Sequence, residues 1–123
     1  KGVFKSLMAA AEIARLNQHG ADFILSAEDL GNVGPVALLQ DLAVVAALGI
    51  GHVERNGHHY YAGLSMYEKA VQEDMVRHHG DLYQMTDRGF AALTPRDGML
   101  SLGSVKQSPC GVAQHPALAS FGQ

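Results

Sequence analysis

A helical stretch, a glycine and a short apolar run follow one another twice along this chain at a constant spacing. Gly20 and Gly49 stand 29 residues apart, and so do Phe23 and His52 in the apolar runs that follow them. A period near 30 is about the length of one strand and one helix in a parallel sheet. The sequence therefore predicts an α/β fold with parallel strands, as in a barrel or a doubly wound sheet.

Three helices and three strands are predicted from these patterns. Ser6 suits the N-cap of the first helix, Gly20 suits its left-handed C-cap, and Pro35 suits the first turn of the second helix. Ser65 and Glu68 have the spacing of a capping box before the third helix. The helices are predicted at 6–18, 35–48 and 66–79, and the strands at 22–26, 51–54 and 81–83.

The second predicted helix is apolar almost all the way round. Between Val36 and Leu48 its only polar residues are Gln40 and Asp41. Such a helix requires cover on more than one side. We therefore expect it to pack against a missing part of a larger domain or against another subunit, as in a homo-oligomer. The opening KGVFKS, which has no methionine, also fits a fragment of a longer polypeptide.

The last third of the chain changes in character. Residues 90–103 are typical of two short strands around a turn at Asp97 and Gly98. Residues 108–123 contain two prolines and two glycines and are typical of a loop laid over another surface. The sequence thus predicts βα units over 1–89 and a hairpin with a tail over 90–123.

Charge and composition exclude several classes of protein. Hydrophobic residues make up 47% of the chain and charged residues 17%, which is typical of a globular domain. The net charge of −3, without a basic cluster, argues against a nucleic-acid partner. The apolar runs are too short for a membrane span. A single cysteine, Cys110, fits a reducing compartment, and we expect a cytoplasmic protein.

Acidic residues follow the first predicted strand directly. Glu28 and Asp29 come at the carboxyl end of that strand, where parallel α/β folds place their chemistry. Their alternative role is to solvate the loop and begin the next helix. Gly31 and Gly34 precede that helix and could hold an anion through backbone N–H groups, or could simply form a tight turn.

The segment HVERNGHHYYAGLS at 52–65 concentrates polar side chains at the second predicted strand. His52 and Glu54 would share one face of that strand, and a zinc site with one later histidine is conceivable. No spacing typical of zinc ligands supports such a site. Glu54 alone, as a carboxylate at the end of a strand, is the better functional interpretation. His78 and His79 are expected to be structural, at a helix end.

In its order of elements the chain resembles the mandelate racemase and muconate lactonizing enzyme branch of the enolase superfamily. Barrel strand six, its helix and strand seven resemble KGVFKSLMAAAEIARLNQHGADFILSAEDLG. Helix seven and strand eight resemble NVGPVALLQDLAVVAALGIGHVERN. The tail that rejoins the capping domain resembles FAALTPRDGMLSLGSVKQSPCGVA, with its Asp-Gly turn.

This resemblance implies the last βα units of a TIM-type (β/α) barrel and the C-terminal arm of its capping domain. It also implies abstraction of the proton α to a carboxylate of a small substrate, assisted by Mg²⁺, in a racemase, epimerase or acid-sugar dehydratase. The magnesium ligands belong to strands outside this chain. The chain alone is therefore expected to be inactive.

The resemblance also assigns candidate site residues. Glu54 matches a strand-eight glutamate near the substrate carboxylate. Glu28 lies at the end of strand seven, where members with a His–Asp dyad carry the histidine, and this departure leaves the base unassigned. The catalytic candidates are Glu54 and Glu28, and the substrate-binding candidates are Ser26, Asp29, His58, His59 and Tyr60. The alternative is a small self-contained α/β binding module that oligomerises through the helix at 36–48.

Overall fold

Helices and short strands alternate through the first half of the chain, and a helix and a hairpin dominate the second half. The computed structural model describes residues 2–29, 31–55 and 57–112, without the side chains of Asp29, His58 and His59. The elements are α1 (Val3–Gln18), β1 (Ser26–Asp29), α2 (Pro35–Ala47), β2 (His52–Arg55), α3 (Gly57–Tyr60), α4 (Lys69–His78), β3 (Tyr83–Met85), β4 (Ala91–Leu93), α5 (Gly103–Gln107) and a 3-10 turn (Pro109–Gly111).

The predicted βα repeat is present once, as the unit β1–α2–β2. The two strands pair in parallel, and α2 forms the connection between them. Pro35 begins α2, and Gly49 follows its end with a φ of +67°, as predicted. Both positions carry strong local signals, because proline is tolerated in the first helical turn and glycine adopts the left-handed conformation.

The first strand lies later in the chain than predicted. Residues 21–25 have no regular secondary structure, and β1 begins at Ser26. Asn17 explains the shift, because its side-chain amide donates to the carbonyl oxygen of Phe23 at 2.8 Å and its side-chain oxygen accepts from the Phe23 N–H at 2.9 Å. With its backbone groups satisfied by a side chain, Phe23 does not require a strand partner.

Helix α1 makes little contact with the rest of the described chain. It begins at Val3, so Ser6 lies inside the helix and the predicted N-cap is wrong, whereas Gly20 has the predicted left-handed conformation. None of its residues is buried. Its exposed apolar side chains include Phe4 at 84% and Met8 at 73% exposure.

The second half departs from the predicted repeat. Helix α4 begins at Lys69, and no side chain forms a hydrogen bond at its N-cap, so the predicted capping box is wrong. Strand β3 pairs antiparallel with β4 and does not extend the parallel sheet. Asp97 and Gly98 do form the predicted turn, closed by two 2.9 Å hydrogen bonds between Arg96 and Met99, but β4 pairs with β3 and not across this turn.

The core forms where α2 meets the C-terminal half of the chain. Leu38, Leu39 and Leu42 of α2 are at most 2% exposed. The other buried members of this cluster are Leu64, Met75, Leu82, Tyr83, Ala91 and Val105. The expectation that α2 needs cover from outside the chain is therefore wrong for this face, because α5 and the 3-10 turn pack against it.

These elements make a small mixed α/β protein with two small sheets. The βαβ unit formed by β1, α2 and β2 occurs both in (β/α) barrels and in other parallel α/β folds. None of the helices in the described residues has the length and hydropathy of a membrane span.

We expect Phe4→Ser to change the free energy of unfolding of the chain by less than about 0.5 kcal/mol, because an exposed side chain loses few contacts on substitution. Leu39→Ala, at a position with 0% exposure, should cost about 2–5 kcal/mol. Urea denaturation of both variants measures the difference. A large loss of stability in Phe4→Ser would show that α1 is packed in solution.

Candidate functional site

Four polar side chains share one exposed face of the parallel pair. Residues two apart on a strand point to the same side, which groups Ser26 with Glu28 and His52 with Glu54. The register sets Ser26 opposite His52 and Glu28 opposite Glu54. All four residues are exposed, and we call them the carboxylate face. The structure thus brings together three sequence-predicted site residues and adds His52 to them.

The other face of the sheet turns towards α2. Arg55 follows Val53 on this face and is only 7% exposed. Its Nη2 lies 2.6 Å from Oδ2 of Asp41 on α2, and its Nη1 donates to the backbone carbonyl of Glu54 at 3.3 Å. The ion pair fixes the end of β2 against the helix, and Glu54 therefore projects from a held backbone.

A cavity of about 680 Å³ borders the same strands. Its walls include Glu28 and Glu54 from the carboxylate face, Leu42 from α2, and Gly98 and Met99 from the Asp97–Gly98 turn. A cavity of this volume is within the range that holds small ligands, and its lining mixes apolar side chains with a few charged ones. The two glutamates are therefore placed at an open cavity and not within the packed core.

The segment after β2 is helical. Residues 57–60 form α3, and Gly57 packs against the loop before α2, with Val33 Cγ2 3.2 Å from the position of a Cβ on Gly57. Tyr60 is 77% exposed and is not among the residues lining the 680 Å³ cavity. The predicted roles of His58 and His59 fall on side chains outside the described part of the structure, as does that of Asp29.

The start of α2 is covered by a side chain that the sequence did not single out. The Tyr67 hydroxyl lies 2.7 Å from the position that a Cβ on Gly34 would take. Only glycine leaves room for that close approach. The Tyr67 hydroxyl thus lies close to the backbone at the N-terminus of α2, and the anion site at Gly31 and Gly34 stays a prediction. No local signal could reveal this contact, because Tyr67 is distant in sequence.

A serine, a histidine and an aspartate lie together at the end of α4. His79 Nδ1 is 2.8 Å from Ser104 Oγ, and that hydroxyl donates to Asp81 Oδ1 at 2.5 Å. Because the single hydroxyl proton points to Asp81, His79 Nδ1 carries the proton donated to Ser104. A nucleophilic serine instead donates to histidine, which the aspartate orients. The arrangement is thus structural, as expected for His79, and joins α4 to α5.

Hydrogen bonds to Asp81 favour its charged form. Burial acts to raise the pKa of this carboxyl, but donors from the Ser104 side chain and backbone and from Ser101 outweigh it, so the pKa lies below its ordinary value. A lowered folded-state pKa stabilises the protein above the unfolded value of about 3.9. That stability is lost as the pH falls through the folded-state pKa.

We expect Asp81→Asn to lower the free energy of unfolding by about 1–2 kcal/mol at pH 7, because hydrogen bonds to a charged acceptor are lost. The difference from the wild-type chain should shrink as the pH is lowered below about 4. Urea denaturation across this range measures it, with Asp87→Asn, in the exposed turn between β3 and β4, as the control. A pH-independent difference would contradict the role of the charge.

The described side chains do not form a metal site. No group of three or more histidine, cysteine, aspartate or glutamate side chains in the described residues lies close enough to hold an ion. Cys110 is exposed in the 3-10 turn, with a φ of +49°.

Comparison of the chain with protein-family models, with curated proteins and with solved structures gives no match.

Proposed function

We propose that this chain is the C-terminal segment of an enolase-superfamily enzyme of the mandelate racemase and muconate lactonizing enzyme branch. The carboxylate face supports the proposal most directly. Glu28 and Glu54 stand level near the carboxyl ends of adjacent parallel strands. Arg55, which alternates with Glu54 along β2, contacts Asp41 of the crossover helix, so the glutamates belong to the opposite face. In a (β/α) barrel that side is the interior, and the carboxyl ends of the strands carry the chemistry.

The proposed substrate is a small carboxylate whose α-proton is removed in a racemase, epimerase or acid-sugar dehydratase reaction. Two carboxylates directly opposite each other on neighbouring strands repel. A hydrogen-bond donor of the substrate placed between Glu28 and Glu54 would relieve that repulsion and orient the substrate. A glutamate side chain at this position can also accept or return a proton.

The chain contributes these two side chains to the proposed site. No group of three or more histidine, cysteine, aspartate or glutamate side chains in the described residues is placed to hold a metal ion. Under the proposal the ion is held by the other barrel strands, and the role of this segment is to bind and orient the substrate from strands seven and eight. His52, level with Ser26 beside the glutamates, joins the candidate substrate-binding residues.

The exposed apolar side chains of α1 support the proposal that further barrel elements pack against this chain. An apolar stripe of Val3, Phe4, Leu7 and Met8 is between 46% and 84% exposed. A second cavity, of about 610 Å³, separates α1 from β1 and α2. A barrel helix in this position packs its apolar side on the sheet. The proposal therefore expects the remaining barrel to bind along α1 and along β1.

Exchange of α-protons in D₂O tests the proposed reaction. The polypeptide that completes the barrel is incubated with Mg²⁺ and a panel of small α-hydroxy and α-amino carboxylates, and loss of the α-proton signal is followed by ¹H NMR. Exchange of at least one substrate is expected, and it should require the complete barrel. Exchange of none would contradict the proposal.

Light scattering with Mg²⁺ titration of the chain alone gives a second test. We expect association and no tight Mg²⁺ binding, because α1 is uncovered and the ligands lie elsewhere. A stable monomer that binds Mg²⁺ tightly would contradict the proposal.

The second candidate is a self-contained α/β interaction module. One observation favours it, since α2 and the C-terminal half close a core without outside help. The leucines of α2 are buried in that core, so an association surface would lie on α1 and not at 36–48 as first expected. A stable dimer without exchange activity in the longer polypeptide would favour this candidate.

A further inference from the structure

Tyr83 combines complete burial with a polar group that lacks a protein partner. The side chain is 1% exposed, and its hydroxyl has no hydrogen-bond partner among the described residues. Burial, and then the neighbouring Tyr67, raise the pKa of this hydroxyl above its ordinary value, so it remains a neutral donor and acceptor. A buried hydroxyl without a partner is unfavourable, and buried polar groups that lack a protein partner can be satisfied by an ordered water.

A small cavity adjoins this side chain. Tyr83 lines it together with Leu64, Leu93 and, from the loop between β1 and α2, Asn32 and Val33. The volume available to the centre of a water molecule is about 10 Å³. About 10–15 Å³ is required to hold one water, so the cavity is matched to a single molecule and excludes any larger ligand.

Tyr67 and Tyr83 both lie near the loop between β1 and α2. Tyr67 covers Gly34, which immediately follows Val33 in the cavity wall. Tyr83 begins β3, lies in the core cluster with the leucines of α2, and lines the same cavity as Asn32 and Val33. Asn32 is the other polar residue that lines the cavity, and an internal water requires two or more polar partners.

We propose that Tyr83 holds one internal water molecule that links the hairpin to the loop at Asn32 and Val33. This loop connects β1, which carries Glu28, to α2. The bound water is therefore a support for the loop behind the carboxylate face. The inference is independent of the reaction proposed above, because it rests on the buried hydroxyl and the cavity alone.

Nuclear Overhauser effects between water and protein test the site directly. In the full chain, a long-lived water should show cross-peaks to protons of Tyr83 and of Asn32 or Val33. In Tyr83→Phe these cross-peaks should vanish, and the amide protons of Asn32 and Val33 should exchange about fivefold faster, the loss expected for one net hydrogen bond. Tyr61→Phe, which removes a partly exposed hydroxyl, is the matched control and should change neither.

Three results would overturn the inference. One is the absence of water cross-peaks at Tyr83 in the wild-type chain, and this measurement decides the matter even if the variant does not fold. The second is that the cross-peaks persist in Tyr83→Phe, which would show that other groups hold the water. The third is slower loop exchange in Tyr83→Phe, as expected when an unsatisfied hydroxyl is removed from a dry site.

Discussion

Glu54→Gln should lower the turnover of the completed enzyme by about a hundredfold or more, the usual effect of removing a group that exchanges a proton with the substrate. Glutamine keeps the size of the side chain and its capacity for hydrogen bonds, but it carries no negative charge and cannot accept a proton from the substrate. The backbone of Glu54 is held by the Arg55–Asp41 ion pair, so the fold should not change. Initial rates of α-proton exchange measure the effect.

The control for this variant is Glu73→Gln. Glu73 is an exposed acid on α4, outside the carboxylate face, and its substitution should leave turnover within about twofold. Glu28→Gln should resemble Glu54→Gln, because the two residues stand level on adjacent strands. Equal activity of Glu54→Gln and Glu73→Gln would identify Glu54 as a surface acid and would remove the main support for the proposed site.

Gly111→Ala should destabilise the chain by about 2–5 kcal/mol. Gly111 has a φ of +79°, a conformation that costs other residues about 1–2 kcal/mol. A Cβ here would also collide with the carbonyl oxygen of Leu39 and lie 2.9 Å from Cβ of Ala43, both on α2. Such overpacking adds about 1–3 kcal/mol. Urea denaturation measures the total.

Gly98→Ala separates the two causes. Gly98 has a similar φ of +74°, but a Cβ there would meet nothing within 4 Å. Its substitution should therefore cost only the conformational part, about 1–2 kcal/mol. If the two variants lost the same stability, the close packing of the 3-10 turn on α2 would be contradicted.

The sequence predicted the elements whose signals are local. Helix α2 is delimited by Pro35 and Gly49, and the turn at Asp97 and Gly98 follows from the dihedral preference of that pair. The predicted start of α4 at residue 66 was wrong, because the contacts that determine where this helix begins are not local. Gln72 donates to the carbonyl of Tyr67 and accepts from the N–H of Ala91, so its side chain replaces a local cap with a bridge to β4.

The candidate site was only partly predictable for a related reason. Alternation along β2 correctly placed His52 and Glu54 on one face. The 29-residue spacing relates Phe23 to His52, whereas the strand register sets Ser26 opposite His52. A shift by an odd number of residues exchanges the two faces of a strand. Predicting that Glu28 lies opposite Glu54 therefore requires the register of β1 against β2. That register depends on how Asn17 binds Phe23.

The burial of α2 by later elements also affects how the chain acquires its structure during synthesis. Val105, which packs in the cluster around Leu42, is made 63 residues after it. At a synthesis rate of about 5–20 residues per second, roughly 3–13 seconds pass between the synthesis of Leu42 and that of Val105. Until then the leucines of α2 cannot be buried against α5. During that interval an apolar helix face is available to chaperones or to wrong contacts. Ribosome-bound chains that end before α5 should therefore be the species most prone to aggregate.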